Sequence, residues 1–172
     1  MPISNPTDTS NLLDDTAVLQ HHIHSRVRVY PQDVGATITL AAFATANTFG
    51  SWTQIVPINT IDFMYMVTGI VIEAVNAATT YLIQFGYSIT DGDDPTTAQI
   101  LGERRLLLPT PVNKATELLS IHASHCTANA KLWGRLKSAS GNADQLGISV
   151  VVIRHTMISN PTTNLATWPW ST

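Results

Sequence analysis

Three histidines near the start of the chain have a spacing that suits metal binding. His22 and His24 alternate on an extended chain, so their imidazoles can point the same way and share an ion with His21 nearby. No Cys, Asp or Glu follows at ligand spacing. We therefore predict no metal at this position, and we interpret the histidines as a solvated or interface hinge between an arm and a domain.

A second group of possible ligands or nucleophiles comprises residues 122–126. On a strand, His122, Ser124 and Cys126 share one face and His125 lies on the other, so the side chains do not converge. A Cys–His catalytic pair requires contact between thiol and imidazole, and the spacing does not establish it. We predict that Cys126 is a core thiol.

The remaining candidate chemistry is equally sparse. The run Asp91-Gly92-Asp93-Asp94 resembles a calcium loop but lacks the closing Glu and flanking helices of an EF-hand, so it predicts a hairpin tip. No motif for a serine nucleophile, a phosphate loop, a zinc protease or a dinucleotide is present. We predict that the protein is not an enzyme and has no cofactor.

Two groups of aromatic side chains favour partner binding instead. Alternation places Trp133, Arg135 and Lys137 on one strand face with Lys131, where an indole flanked by cations can anchor an interface. The alternative is a sheet surface with snorkelling cations and one half-exposed indole. Trp168 and Trp170 flank a proline in a segment without a core of its own. We predict that Trp133, Arg135, Lys137, Trp168 and Trp170 bind partners.

Composition limits the class of protein. The 172 residues are 44% hydrophobic and 12% charged, which is about half the usual charged share. A surface covered by partners explains this, as does an exterior rich in Thr, Asn and Ser. Residues 1–94 hold nine acidic and two basic side chains, whereas residues 95–155 are mainly basic. Such asymmetry can align one copy against another, and without a polybasic tract nucleic acid is not expected.

The same composition bears on the compartment. One cysteine excludes an intramolecular disulfide framework. Residues 1–15 lack the basic start and apolar run of a secretion signal, and no apolar run is long enough to span a bilayer. We expect synthesis in a reducing cytoplasm and no membrane association.

Proline positions and a period of two predict the fold. Residues 58–94 and 112–160 lack proline, so continuous central strands are possible there. The predicted strands are Ser25–Tyr30, Ala36–Phe43, Ser51–Val56, Ile61–Val75 with a break or bulge near Gly69, Thr79–Tyr87, Ala98–Leu107, Glu117–Ala123, Ala128–Lys137 and Leu146–His155. Short Ala-rich or polar stretches at 39–47 and 113–119 are compatible with brief helical turns. This pattern predicts an all-β, antiparallel jelly-roll-like sandwich, with an immunoglobulin-like sandwich as the alternative.

The ends of the chain differ from this middle part. Residues 1–24 and 156–172 are polar, aperiodic and marked by proline, so we predict an N-terminal arm, a β-sandwich over 25–155 and a C-terminal arm. The run Val150–Ile153 is apolar on both strand faces. Together with the low charge, this run predicts self-association.

The middle of the chain also resembles a known group of proteins. Residues 82–86 (LIQFG), 101–105 (LGERR), 133–142 (WGRLKSASGN) and 148–155 (ISVVVIRH) are similar to small structural proteins of tailed-phage virions. Among these the chain most resembles capsid decoration, or cement, proteins. The resemblance implies a jelly-roll-like domain with extended arms that sits, often as a trimer, on the outer surface of the capsid. No functional residue is carried over from it.

These observations predict a non-enzymatic virion protein. It would bind the major capsid protein and further copies of itself, and it would stabilise the head by bridging neighbouring subunits. The alternative is a receptor- or carbohydrate-binding domain of a phage tail or fibre, in which exposed aromatic side chains such as Trp133, Trp52 and Tyr87 would stack on sugar rings.

Overall fold

The computed structural model describes residues 27–96, 99–108, 118–121 and 123–154. These residues form ten strands and contain no α-helix. The strands are β1 (Val27–Tyr30), β2 (Ile38–Ala41), β3 (Thr53–Val56), β4 (Tyr65–Val75), β5 (Thr79–Ser88), β6 (Ile100–Leu108), β7 (Leu118–Ser120), β8 (His125–Cys126), β9 (Lys131–Ser138) and β10 (Gln145–Arg154). The arms predicted at 1–24 and 156–172 lie outside the described residues.

The strands form two antiparallel sheets. One sheet has six strands, in the order β1-β10-β4-β7, with β2 also paired to β10 and β8 also paired to β4. The other has four strands, in the order β3-β9-β5-β6. The strand pairs are nested along the chain: β2 pairs with β10, β3 with β9, β4 with β7 and β8, and β5 with β6. The chain therefore follows the path of a long hairpin rolled into two sheets. This nesting is the jelly-roll arrangement, so the predicted all-β jelly-roll sandwich is confirmed.

The period-two pattern of the sequence sets which residues form the core. On β5, Tyr81, Ile83 and Phe85 are fully buried between the sheets. The neighbouring strand β9 of the same sheet contributes Leu132 and Leu136, and β10 of the facing sheet contributes Ile148 and Val150. A side chain that points into the core loses its contact with water on folding. Full burial of each such aliphatic side chain stabilises the fold by about 1.5–3 kcal/mol. The core therefore lies between two sheets whose outer faces remain available.

Residues with a positive φ form turns between the strands. The turn after β3 contains Asn59 with a φ of 59°, and the turn after β9 contains Gly141 with a φ of 72°. The predicted irregularity near Gly69 is also present: Val151 pairs with Gly69 and Val152 pairs with Val67, which leaves one residue of β4 as a bulge. The Ala-rich stretch at 39–47 continues β2 and ends in a turn rather than a helix.

No helix in the described part of the chain is long and apolar enough to cross a membrane. Strand β8 is an addition to the predicted set, because it lies between the strands predicted at 117–123 and 128–137.

Candidate functional site

The outer face of the four-stranded sheet carries the predicted partner-binding strand. Because Leu132 and Leu136 of β9 point into the core, the alternate residues of that strand point outward. Cross-strand pairing aligns these residues with outward residues of β5 and β6 in successive rows. We call this surface the stacked face; its residues are Leu82, Gln84, Gly86, Ser88, Glu103, Arg105, Lys131, Trp133, Arg135 and Lys137, with Phe49 and Trp52 beside them.

Arg135 is the cation of the stacked face that contacts two aromatic rings. Its guanidinium carbon lies 4.3 Å from the ring centres of both Phe49 and Trp52. Its Nε donates to Gln84 Oε1 at 2.6 Å, and Gln84 Nε2 donates to Glu103 Oε1. Burial lowers the pKa of Arg135, although the nearby carboxylate of Glu103 opposes this effect. The row Arg135–Gln84–Glu103 is therefore a hydrogen-bonded chain across three strands.

Trp133 is held by polar contacts at the next rows. Its Nε1 donates to Ser88 Oγ at 2.8 Å, and the Lys131 ammonium lies 5.0 Å from its ring centre. Lys131 is only 5% exposed and its Nζ donates to Asp91 Oδ1 at 2.6 Å. This hydrogen bond lowers the pKa of Asp91. The loop that carries Asp91 is thereby tied to the stacked face.

The same loop makes an apolar contact with the sheet. A β-carbon built on Gly86 would lie 2.8 Å from Pro95 Cβ and 3.2 Å from Trp52 Cη2, so both rings pack directly on the backbone of β5. A glycine is required at this close approach. Residues 91–95, which we call the acidic loop, therefore cover one end of the stacked face.

The opposite end of the stacked face is basic. Leu82 pairs with Lys137 on one side and with Arg105 on the other, so the two cations flank an aliphatic side chain. We call these three residues the basic row. The Lys137 ammonium lies 4.6 Å from the Phe49 ring centre. Among the described residues, no carboxylate lies within ion-pair distance of Lys137 or Arg105.

The structure thus brings Trp133, Arg135 and Lys137 onto one face, as predicted from the strand alternation. Trp168 and Trp170 lie outside the described residues. Sequence reasoning did not assign Phe49, Gln84 or the loop contact of Pro95 to this face. The register of β5 against β9 places Gln84 beside Arg135. Phe49 and Pro95 lie in loops, so their positions depend on the conformations of those loops and not on strand alternation.

A second surface lies on the outside of the six-stranded sheet. Val150 and Val152 point into the core, so Val151 and Ile153 point outward, and their register partners do the same. We call the resulting surface the valine face; its residues are Val27, Val29, Met66, Val71, Leu118, Val151 and Ile153. Val27, Val29 and Leu118 are 60%, 46% and 52% exposed. Polar residues border this apolar surface on the same side, because His125 pairs with Met66, and Ser149, which pairs with Val71, donates to Glu73.

The candidate chemistry in residues 122–126 is only partly described. Cys126 is buried whereas His125 is exposed on the other side of β8, so these two side chains are separated by the strand. Burial raises the pKa of the Cys126 thiol to about 12, against a hydrogen bond with Tyr65 that lowers it. The predicted core position of Cys126 is confirmed. His122 and the histidines at 21–24 lie outside the described residues.

Within the described ranges, no group of three or more His, Cys, Asp or Glu residues is arranged to hold a metal ion. Asp91, Asp93 and Asp94 lie in the acidic loop, where Asp91 is already bonded to Lys131.

No protein-family model matches the sequence, and no curated protein matches it. Two solved structures match this chain at low similarity. Eiger TNF from S. frugiperda is 8% identical, with a TM-score of 0.43 over 80% of this chain and 96% of that chain. The N-terminal CBM22-1-GH10 modules of Clostridium thermocellum endo-1,4-beta-D-xylanase 10B are 12% identical, with a TM-score of 0.32 over 76% of this chain and 26% of that chain. At these values neither likeness bears on function.

Proposed function

We propose that the protein is a non-enzymatic virion structural protein that binds the outer capsid surface and bridges neighbouring capsid subunits. The observation that carries this proposal is the valine face. Contiguous apolar surface of this kind marks sites where proteins bind other proteins. Three aliphatic side chains of this patch are well exposed, and their contact with water is unfavourable. Binding of a protein partner would bury them and so lower the free energy.

The position of the valine face also suits a bridging protein. Val27 pairs with Ile153, so the chain enters and leaves the described sandwich side by side at one border of this face. The stacked face lies on the opposite side of the sandwich, on the other sheet. A bridge requires at least two adhesive surfaces, and the two sheets supply one each. The resemblance to capsid decoration proteins gives the partner class, namely the major capsid protein.

Mutation of the valine face tests the proposal on virions. Tagged protein is supplied during infection by the phage that encodes the chain, and the purified virions are examined by electron cryomicroscopy. We expect regular density on the head surface, and we expect its occupancy to fall at least tenfold for Val29→Ser combined with Val151→Ser. The control is Val34→Ser, because Val34 is fully exposed outside the valine face.

Two results would contradict the proposal: absence of the protein from virions, or unchanged occupancy of the double variant. The same experiment with Trp168→Ala and Trp170→Ala tests the predicted C-terminal anchor separately. The predicted homotrimer is a further proposal, and the symmetry of the head density would reveal it.

The half-exposed aromatic rings of the stacked face favour a second candidate, a carbohydrate-binding domain of a tail or fibre. Sugars stack on open aromatic faces, but Arg135 already covers one side of Trp52 and Lys131 one side of Trp133. Density at the tail, together with glycan binding that is lost in Trp52→Ala, would favour this candidate over the capsid proposal.

A further inference from the structure

We propose that two copies of the protein pack against each other through their stacked faces, around a two-fold axis that places the acidic loop of each copy on the basic row of the other. The proposal concerns the free protein and does not depend on attachment to a capsid.

The first step is the uneven charge of the stacked face. At one end, Lys137 and Arg105 have no carboxylate within ion-pair distance among the described residues. At the other end, Asp93 and Asp94 are exposed, and neither forms an ion pair in the described part of the chain, although Asp94 is near enough to Arg135 to favour the charged guanidinium. The hydrogen-bonded row through Arg135 and Glu103 separates the two ends with no net charge.

The second step is the spacing of these ends. The basic row crosses β5 at Leu82, and the acidic loop leaves β5 after Ser88. Six residues of strand separate the two positions, which corresponds to about 20 Å. Both ends lie on one sheet face, so a second copy that lies against it in the opposite direction contacts both ends with complementary charge at the same spacing. A two-fold axis between Gln84 and Gly86 does this, because it exchanges the ends.

The third step is the relief of the surface. Pro95 packs on the backbone of Gly86 and Asp91 is bonded to Lys131, so the acidic loop raises that end of the face. At the basic row, the loop that carries Phe49 contacts Lys137 beside β9, whereas Arg105 on β6 remains exposed. Two-fold packing fits the raised end of each copy over the lower end of the other. The rings of Trp52 and Trp133 then lie near the axis, where aromatic anchors are typical of interface centres.

The size of the face suits a weak contact. The strands β3, β9, β5 and β6 have four, eight, ten and nine residues, so the sheet covers about 19 Å by at most about 33 Å, or less than roughly 600 Å² for each copy. Two copies then bury less than roughly 1,200 Å², which is the range of weak and transient interfaces. The contact is therefore expected to be reversible and sensitive to salt, because the paired charges lie toward the rim.

Edge-to-edge pairing through β6 is disfavoured as an alternative. Arg104 is paired with Ile83, whose side chain lies in the core, so Arg104 is a charged and exposed residue on the core side of an edge strand. Charges at such positions oppose addition of another strand. The open surface of the four-stranded sheet is therefore its outer face.

A charge exchange tests the proposal. Sedimentation equilibrium of the full chain at low ionic strength should give a dimer, and its dissociation constant should rise as salt is added. We expect Lys137→Glu with Arg105→Glu to weaken the dimer at least tenfold, and Asp93→Lys with Asp94→Lys to do the same. An equimolar mixture of the two variants, and the chain that carries all four changes, should associate within a few-fold of the original protein.

Circular dichroism and melting temperature establish that each variant is folded. Arg104→Glu is the matched control, because Arg104 is an exposed cation outside the stacked face, and it should leave the dissociation constant unchanged. A monomeric original protein at all accessible concentrations would overturn the proposal. The proposal would also be overturned if each of the two double variants still formed the dimer on its own, or if the two double variants failed to associate when mixed.

Discussion

Pro95 lies directly against the backbone of Gly86, so a β-carbon at position 86 would approach Pro95 Cβ to 2.8 Å. The contact joins the loop after β5 to the C-terminal end of the same strand. It makes Gly86 a packing position, since its φ is not in the left-handed region.

We expect Gly86→Ala to destabilise the protein by about 1–3 kcal/mol, because the added methyl group must displace the proline ring or the indole of Trp52. Thermal or urea unfolding measures the change. Gly35→Ala is the control, since the nearest atom to its β-carbon would be 3.5 Å away. An equal, small effect of both substitutions would show that the loop does not pack on Gly86.

The enclosure of Arg135 predicts a loss of stability on its removal. Arg135→Ala deletes contacts with two aromatic rings and leaves Oε1 of the buried Gln84 without its donor. Each cation–π contact contributes about 0.5–1 kcal/mol, and an unsatisfied buried acceptor costs about 1–3 kcal/mol. We expect a loss of about 2–3 kcal/mol in urea unfolding. Arg104→Ala should change stability by less than about 0.5 kcal/mol, and an equally small effect of Arg135→Ala would contradict its role.

Two buried tyrosines should respond differently to loss of their hydroxyl groups. Tyr65 OH donates to the carbonyl oxygen of Ala130 at 3.1 Å, whereas Tyr30 OH has no hydrogen-bond partner among the described residues. Removal of a hydroxyl that makes a hydrogen bond costs about 1 kcal/mol. We expect Tyr65→Phe to lower the free energy of unfolding by about this amount and Tyr30→Phe to leave it unchanged or raise it. The reverse order would refute this assignment of the two hydroxyl groups.

The buried thiol predicts a loss of stability in alkaline solution. The pKa of Cys126 is raised to about 12 in the fold, from an ordinary value near 9, because burial disfavours the thiolate. Because the pKa of the thiol is higher in the folded state than in the unfolded state, the protonated thiol contributes its full stabilisation of the fold below the unfolded-state pKa. That contribution is lost as pH rises from about 9 toward about 12. Urea unfolding between pH 8 and 11 measures this slope.

Cys126→Ala removes the thiol, so comparison with the original protein isolates its contribution to the pH dependence of unfolding. It should reduce the slope without abolishing it, because burial also raises the pKa of Tyr81 to about 12. In the native protein at pH 8, the thiol should resist Ellman's reagent and react only on unfolding. Rapid labelling of the native protein would contradict a buried Cys126.

Much of the fold was predictable because alternation is a local property. On β9, Leu132 and Leu136 alternate with Trp133 and Arg135, and the buried and outward sets match that alternation. The bulge beside Gly69 was predictable for a related reason, since a glycine in a long strand weakens regular pairing. Strand ends were less accurate, as the start of β4 at Tyr65 rather than at Ile61 shows.

The stacked face was only half predictable. Alternation placed Trp133, Arg135 and Lys137 together, because all three lie on one strand. The arrangement of Gln84 beside Arg135, and of Pro95 on Gly86, depends on which strands pair and in which register. A shift of one residue would turn every side chain of β5 to the other face. No local pattern contains that information.

The sequence by itself determined the fold class, the faces of each strand, the buried position of Cys126 and the absence of a recognisable catalytic motif. These follow from residue type and period along a single segment. The tertiary structure decided the charged polarity of the stacked face and the continuity of the valine face. Both surfaces join residues that are distant along the chain, such as Val29 with Val151, and only the long-range pairing of strands brings them together.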